Sequence, residues 1–276
     1  MSGRVAVVTG ASRGIGKGCA IELGALGARV YVTGRTVEAG KAPLPGTLDE
    51  TAQAVTQAGG EGIAVRCDHR DDGEVEALFD RVGSESGRLD VLVNSAYLIP
   101  REMTSGRPFW EVPLSNWDDC LDVGTRGAYT ASAFAARLMS EQLSGLIVNI
   151  SSSGAAGYAW SVPYGVGKAA TDRLSADTAH ELAPYDVAVV SLWPGLVLTE
   201  RVQAGREALV GLEEVRAESQ RFTGRAVVAL AADPNVIRHS GKALASRELA
   251  DLYAFKDVDG SLPDGPLHKR PRSAEG

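Results

Sequence analysis

The stretch Val5-Ala6-Val7-Val8-Thr9-Gly10-Ala11-Ser12-Arg13-Gly14-Ile15-Gly16 decides the architecture. Its first four residues are apolar without alternation, the pattern of a strand covered on both faces. Gly10, Gly14 and Gly16 then form G-x-x-x-G-x-G, and residues 14 to 26, rich in Gly, Ala, Ile and Leu, read as a helix. Glycines at such a junction permit a tight turn and let a phosphate approach the backbone. The helix start offers free N–H groups and a positive dipole to an anion. Strand, glycine turn and helix in this order predict a dinucleotide site. A plain tight turn is the alternative, and the context disfavours it.

Working outward, further apolar runs alternate with helical patterns. Strands are expected at 30–32, 63–65, 91–93, 146–150 and 187–192, with a last one near 242–244. Helices are expected at 48–58, 74–82, 117–142 and 163–183. Segments 99–113, with its prolines, and 200–221 read as a loop and a helical lid. Continuous apolar strands alternating with helices require a parallel sheet covered on both faces. Right-handed crossovers make it an α/β doubly wound, Rossmann-type sheet of about seven strands. No linker divides the chain, so residues 1–276 read as one domain, with a core at about 4–245 and a C-terminal extension at 246–276.

Composition narrows the function. The 276 residues carry a net charge of -7 and a sequence pI near 5.2, which gives no field for nucleic acid. Cys19, Cys67 and Cys120 form neither a C-x-x-C pair nor a disulfide framework. His69, His180, His239 and His268 lack ligand spacing, so no metal is expected. Asp71-Asp72 reads as a helix cap. With no long apolar segment, the expectation is a cytoplasmic protein that avoids membranes.

A second constellation carries chemistry. Tyr164 and Lys168 stand one helical turn apart, and Ser151 follows the fifth strand. A tyrosine hydroxyl, with a reference pKa of about 10, is too weakly acidic to act as a base at neutral pH unless a neighbouring ammonium lowers it. Tyr164 beside Lys168 is expected to exchange a proton with an alkoxide or alcohol. Ser151 is expected to bind the substrate oxygen. The second strand ends Thr33-Gly34-Arg35, without the carboxylate that accepts a ribose 2′-hydroxyl in NAD sites. Arg35, with Arg13 from the glycine turn, suits a 2′-phosphate, so NADP(H) is favoured over NAD(H). Solvated surface arginines are the alternative. Trp110, Trp117, Trp160 and Trp193 are core or pocket candidates, Trp160 being placed between Ser151 and Tyr164.

These motifs, in order from Arg4 to about Leu244, resemble the short-chain dehydrogenase/reductase family. The resemblance implies a cofactor loop at Thr9–Gly16, with Ser12, Arg13, Gly14, Ile15 and Gly16 at the dinucleotide. It implies Asp68 at the adenine and Asn94 as the first residue of the family's Asn-Asn-Ala-Gly segment. The catalytic residues would be Ser151, Tyr164 and Lys168, with Lys168 also on the nicotinamide ribose. Pro194-Gly195-Leu196-Val197-Leu198-Thr199 is similar to the family's Pro-Gly turn, bringing Val197 and Thr199 to the cofactor. A homodimer or homotetramer packed through helices 117–142 and 163–183 is implied, with Ala131, Ala133, Ala169 and Ala170 permitting close packing.

Two departures stand out. Asn94-Ser95-Ala96-Tyr97 carries an aromatic where the family has glycine. Val123-Gly124-Thr125-Arg126-Gly127 has glycine where most members have an asparagine that anchors a proton-relay water, so no fourth catalytic residue is carried over. With Trp117-Asp118-Asp119 and Ser191-Leu192-Trp193-Pro194-Gly195, these features resemble the dehydrogenase/reductase member 1-like branch.

The expected function is an NADP(H)-dependent carbonyl reductase or alcohol dehydrogenase acting on a moderately apolar small molecule. An idle dinucleotide-binding regulatory or scaffold protein is the alternative, motivated by Gly124 and Tyr97. A halide-releasing lyase on this fold would want arginine at 168 and a degraded glycine loop, and this chain has neither.

Overall fold

The computed structural model describes residues 3–100, 106–205 and 214–266. Among them, β1 (Val5–Val8), β2 (Arg29–Gly34), β3 (Glu61–Arg66), β4 (Val91–Asn94), β5 (Gly145–Ile150), β6 (Val187–Trp193) and β7 (Ala243–Ala245) form one sheet. Its order is β3-β2-β1-β4-β5-β6-β7, and every pairing is parallel. The chain winds outward from β1 to β3, then returns to lay β4 against the other side of β1. That reversal leaves a crevice beyond the carboxyl ends of β1 and β4, where such sheets take ligands.

The strand residues divide by period. Ala6, Val8, Val91, Val93, Leu146 and Val148 join one core with Cys19 and Leu23 of α1 (Gly14–Ala25) and Leu48 and Val55 of α2 (Leu48–Gln57). Val5, Val7, Leu92 and Ile147 join the other, with Leu78 and Phe79 of α3 (Asp72–Ser86). Alternate side chains thus feed opposite faces, and each face needs its own helical cover. Thr47 and Glu50 close a capping box on α2, and Asp71 caps α3 by accepting from Gly73 and Glu74 N–H. These caps satisfy N–H groups that the helix itself leaves without acceptors.

The long helix expected at 117–142 is interrupted. α4 (Ser115–Cys120) runs into a π-helical turn at Leu121–Arg126 before α5 (Gly127–Gln142). Such turns hold an extra residue and rotate the next helical residues onto a new face. α6 (Val162–Leu182) begins with Pro163 in its first turn, where the missing N–H costs nothing. Within the expected lid, α7 (Glu200–Ala204) and the start of α8 (Gln220–Ala232) are described, and residues 206–213 lie outside the described residues. The same holds for residues 101–105 of the expected loop and for His268. No helix among the described residues is long and apolar enough to cross a membrane.

A buried carboxyl ties the later elements together. Glu218 N–H donates to the Leu196 carbonyl at 2.8 Å, and Leu198 N–H donates back to Glu218 at 2.9 Å. The Glu218 side chain accepts from Thr223 of α8 at 2.7 Å and from Ser246 at 2.8 Å, at the start of α9 (Ser246–Tyr253). Burial pushes its pKa up to about 7, against the hydroxyl hydrogen bonds that favour the anion. A raised carboxyl pKa favours folding below the unfolded value and loses that contribution as pH rises through about 7. Glu218→Gln removes the titration. Its change in unfolding free energy relative to wild type should be more favourable at pH 8 than at pH 5, by about 2 kcal/mol. Denaturant melts at the two pH values check this, and equal differences at both would refute it.

Candidate active site

The glycine turn is shaped by its neighbours. Gly10 has φ +64, and a Cβ there would fall 2.6 Å from the Ala96 Cα. Thr9 Oγ1 draws that backbone in by accepting from Ser95 and Ala96 N–H, both at 3.0 Å. The loop after β4 is thereby fixed against the glycine turn. At the start of α1, Gly14 N–H donates to the Glu200 carboxylate at 2.9 Å. A carboxylate therefore already rests on the helix N-terminus, where free N–H groups and the helix dipole favour an anion. Thr199 caps α7 by accepting from Val202 N–H, and so sets Glu200 over the turn.

Tyr164 and Lys168 of α6 reach the carboxyl end of β5. The Tyr164 hydroxyl donates to Ser152 Oγ at 2.9 Å. Ser151, the expected partner, is turned away and buried; its Oγ donates to the main-chain carbonyl of Lys168 at 3.2 Å. Successive residues leaving a strand point to opposite sides, so only one of these adjacent serines can face Tyr164. Ser152 is also the cap of the short turn Ser153–Ala155. Lys168 Nζ donates to the Ile150 carbonyl at 3.0 Å. Burial lowers its pKa to about 8, opposed by the carboxylate of Asp172 one turn further along α6. Asp172 in turn accepts from Ser191 Oγ and from Trp193 Nε1 of β6. Burial also raises the Tyr164 pKa. Lys168 Nζ lies 4.4 Å from the Tyr97 ring centre and 5.8 Å from that of Tyr164.

The remaining predicted residues divide between exposed and structural settings. Arg35 stands at the end of β2, half-exposed, 3.7 Å from Asp68. Asp68 is held by Arg70 at 2.9 Å, and this pairing keeps its carboxyl down at about 2. Arg13 is committed to the chain: it donates to Pro45 and Gly46 carbonyls, both at 2.9 Å, and to Thr36 Oγ1 at 3.2 Å. It braces the loop after β2, where a free cation was expected. Asn94 points inward, donating to Asn149 at 2.8 Å and Ser132 at 3.0 Å. Its Oδ1 is buried without a partner. Ser12 and Gly16 are buried and Ile15 partly so; Val197 is buried and bridges to Glu218. His69 is buried on Thr33, and no cluster among the described residues could hold a metal.

Sequence reading missed Ser152, Glu200 and Asp172. The run Ser151-Ser152-Ser153 left the register open, and Asp172 was accessible as the third member of an i, i+4, i+8 stripe. Glu200 gave no signal, since its partner is far away in the chain.

The family model for short chain dehydrogenases matches residues 4–209, on an α/β sheet with these motifs in place. The chain belongs to the short-chain dehydrogenase/reductase family. It is 48% identical over 273 residues to "Dehydrogenase/reductase SDR family member 1" of Mus musculus and of Homo sapiens, spanning 94% of this chain and 85% of each relative. Those matches put it in the member 1-like branch. A metagenomic short-chain oxidoreductase solved in complex with NADP superposes with a TM-score of 0.70 at 30% identity, over 88% of this chain and 96% of that one. By membership this chain is a nicotinamide-dependent oxidoreductase.

A phosphate taking the Gly14 N–H would have to displace Glu200 from it. Glu200→Ala should tighten NADPH binding by about three- to tenfold, about 0.6–1.4 kcal/mol, the scale of one ordinary hydrogen bond. Fluorescence titration of the cofactor-free protein reads this, and an unchanged or weaker affinity would rule the competition out.

Proposed function

We propose that the protein is an NADP(H)-dependent carbonyl reductase or alcohol dehydrogenase in which Tyr164 is the acid/base and Ser152 binds the substrate oxygen. The observation that carries this is the 2.9 Å hydrogen bond from Tyr164 to Ser152, with the buried Lys168 one helical turn behind. A bound nicotinamide supplies the hydride in reduction and takes it in oxidation. In reduction, the carbonyl carbon gains the hydride, the C=O π pair moves to oxygen, and Tyr164 gives that oxygen its proton. Ser152 Oγ, now released from Tyr164, donates to the same oxygen and steadies the developing charge. The Tyr164 phenolate regains a proton from solvent. Burial keeps Tyr164 protonated, which supports the reducing direction.

Arg35 supports NADP(H), because no carboxylate ends β2 and a guanidinium suits a phosphate. The NADP-bound neighbour agrees with it. Gly10, Gly14 and Gly16 would line the pyrophosphate, with Ser12 and Ile15 beside them. Val197 and Thr199 would meet the nicotinamide end and Asp68 the adenine. The partly exposed Trp160 supports a moderately apolar ketone, aldehyde or secondary alcohol. A homodimer or homotetramer through α5 and α6 is part of this reading. Ala133 and Ala169 are exposed on those helices beside Tyr129 and Val166, whereas Ala131 lies in the core. Three unpaired cysteines support a cytoplasmic setting. The idle binding protein is disfavoured by the intact Tyr164–Ser152 pair.

NADPH oxidation against a carbonyl panel tests the reading. Tyr164→Phe should lose about 10²–10⁴-fold in kcat and Ser152→Ala about 10²-fold. Ser151→Ala should cost about 1 kcal/mol of stability with kcat nearly kept. Turnover that survives Tyr164→Phe would overturn the assignment. In wild type, kcat/KM for reduction should fall as pH rises past about 8, where Lys168 loses its charge.

A further inference from the structure

The two departures from the family pattern meet in space. A Cβ placed on Gly124 would fall 2.7 Å from Cδ2 and 2.8 Å from Cε2 of Tyr97. The π-helical turn presents Gly124 to the ring, and the missing side chain leaves the ring its room. Tyr97 stands edge-on to Tyr164, with centroids 6.1 Å apart. Its face lies toward Lys168, with Nζ 4.4 Å from the ring centre. The Tyr97 hydroxyl is buried against the Cys120 thiol. The hydroxyl thus points at Cys120, and it is the ring that faces Lys168 and fills the space Gly124 leaves.

We propose that Tyr97 is a positioning residue whose ring face, admitted by Gly124, holds the Lys168 ammonium at the active site. A buried ammonium must replace its lost hydration. The Ile150 carbonyl takes one N–H of Lys168. An aromatic face supplies the negative end of a quadrupole to the same cation, and this is worth most where water is excluded. The groups facing Lys168 are Asp172 and Tyr164 on its own helix, Cys120 at the end of α4, and Tyr97 on the loop after β4. Burial raises the pKa values of both tyrosines and of Cys120, so near neutral pH they are uncharged. Asp172 is the formal counter-charge, and its oxygens already accept from Ser191 and Trp193. Tyr97 completes the cage from the side that α6 leaves open.

This proposal rests on the roles given above to Tyr164 and Lys168, and the experiment separates the two. Protein carrying lysine labelled with 13C at Cε is titrated by NMR without cofactor, the Lys168 signal being assigned with Lys168→Arg. The alkaline limb of kcat/KM is measured in parallel. Tyr97→Phe keeps the ring and should titrate like wild type. Tyr97→Leu removes the face, disfavours the ammonium, and should move the Lys168 titration and the kinetic limb down by about one pH unit. A Tyr97→Leu titration that coincides with wild type would overturn the proposal. So would a Tyr97→Phe shift as large as that of Tyr97→Leu, since the hydroxyl would then be the active part. If Tyr97→Leu does not fold, Gly124→Ala makes the same test by pushing the ring aside. Its Lys168 titration must move down, and one that stays put refutes the proposal. Turnover surviving Tyr164→Phe defeats the underlying assignment instead, while the cofactor-free titration still reports on Tyr97.

Discussion

A lysine ammonium buried at the carboxyl end of a parallel sheet constrains everything around it. Taking such a charge out of water costs several kcal/mol unless nearby dipoles and charges offset it. Here the offsets come from separate elements: the Ile150 carbonyl from β5, the Tyr97 ring from the loop after β4, and Asp172 from α6 itself. Asp172 is fixed from β6 by Ser191 and Trp193. Beneath them runs a buried chain in which Asn94 donates to Asn149, Asn149 to Ser175, and Ser175 to the Thr171 carbonyl. The site is thus held by the same contacts that set β4, β5, β6 and α6 against one another. A shift in any of these elements leaves a buried polar group without its partner.

The architecture was legible because its signals are local. Val5–Val8, Val91–Val93 and Leu146–Ile150 are continuous apolar runs, and a run of that kind has one stable home, a strand covered on both faces. The glycine turn, Tyr164 and Lys168 were legible for the same reason: each motif is complete within a few residues. What escaped depends on contacts between distant segments. Choosing between Ser151 and Ser152 needs the direction in which the chain leaves β5, and a run of three serines erases that information. Arg13 looks like a free cation until the loop after β2 folds over it. Gly124 and Tyr97 each announced themselves as departures, but only the π-helical turn brings them together, and no local pattern predicts such a turn.

The division between Ser151 and Ser152 shows how neighbours of one type acquire different work. Ser151 is buried and ties the strand end to the backbone of α6 at Lys168. Ser152, one residue further, caps the next short turn and meets the Tyr164 hydroxyl. One anchors the frame and the other faces the crevice.

Glu200 changes what it means for a ligand to arrive. The N-terminus of α1 is not a bare positive pole, because a carboxylate tethered to the Pro-Gly turn already sits on the Gly14 N–H. A phosphate arriving at this helix end would therefore exchange with a resident anion rather than fill a vacuum. The tether keeps that competitor at high effective concentration whatever the surrounding solution contains. Exchange of this kind works in both directions. The same carboxylate would retake the helix end as a bound phosphate loosened, which would suit a site that sheds its ligand once per turnover.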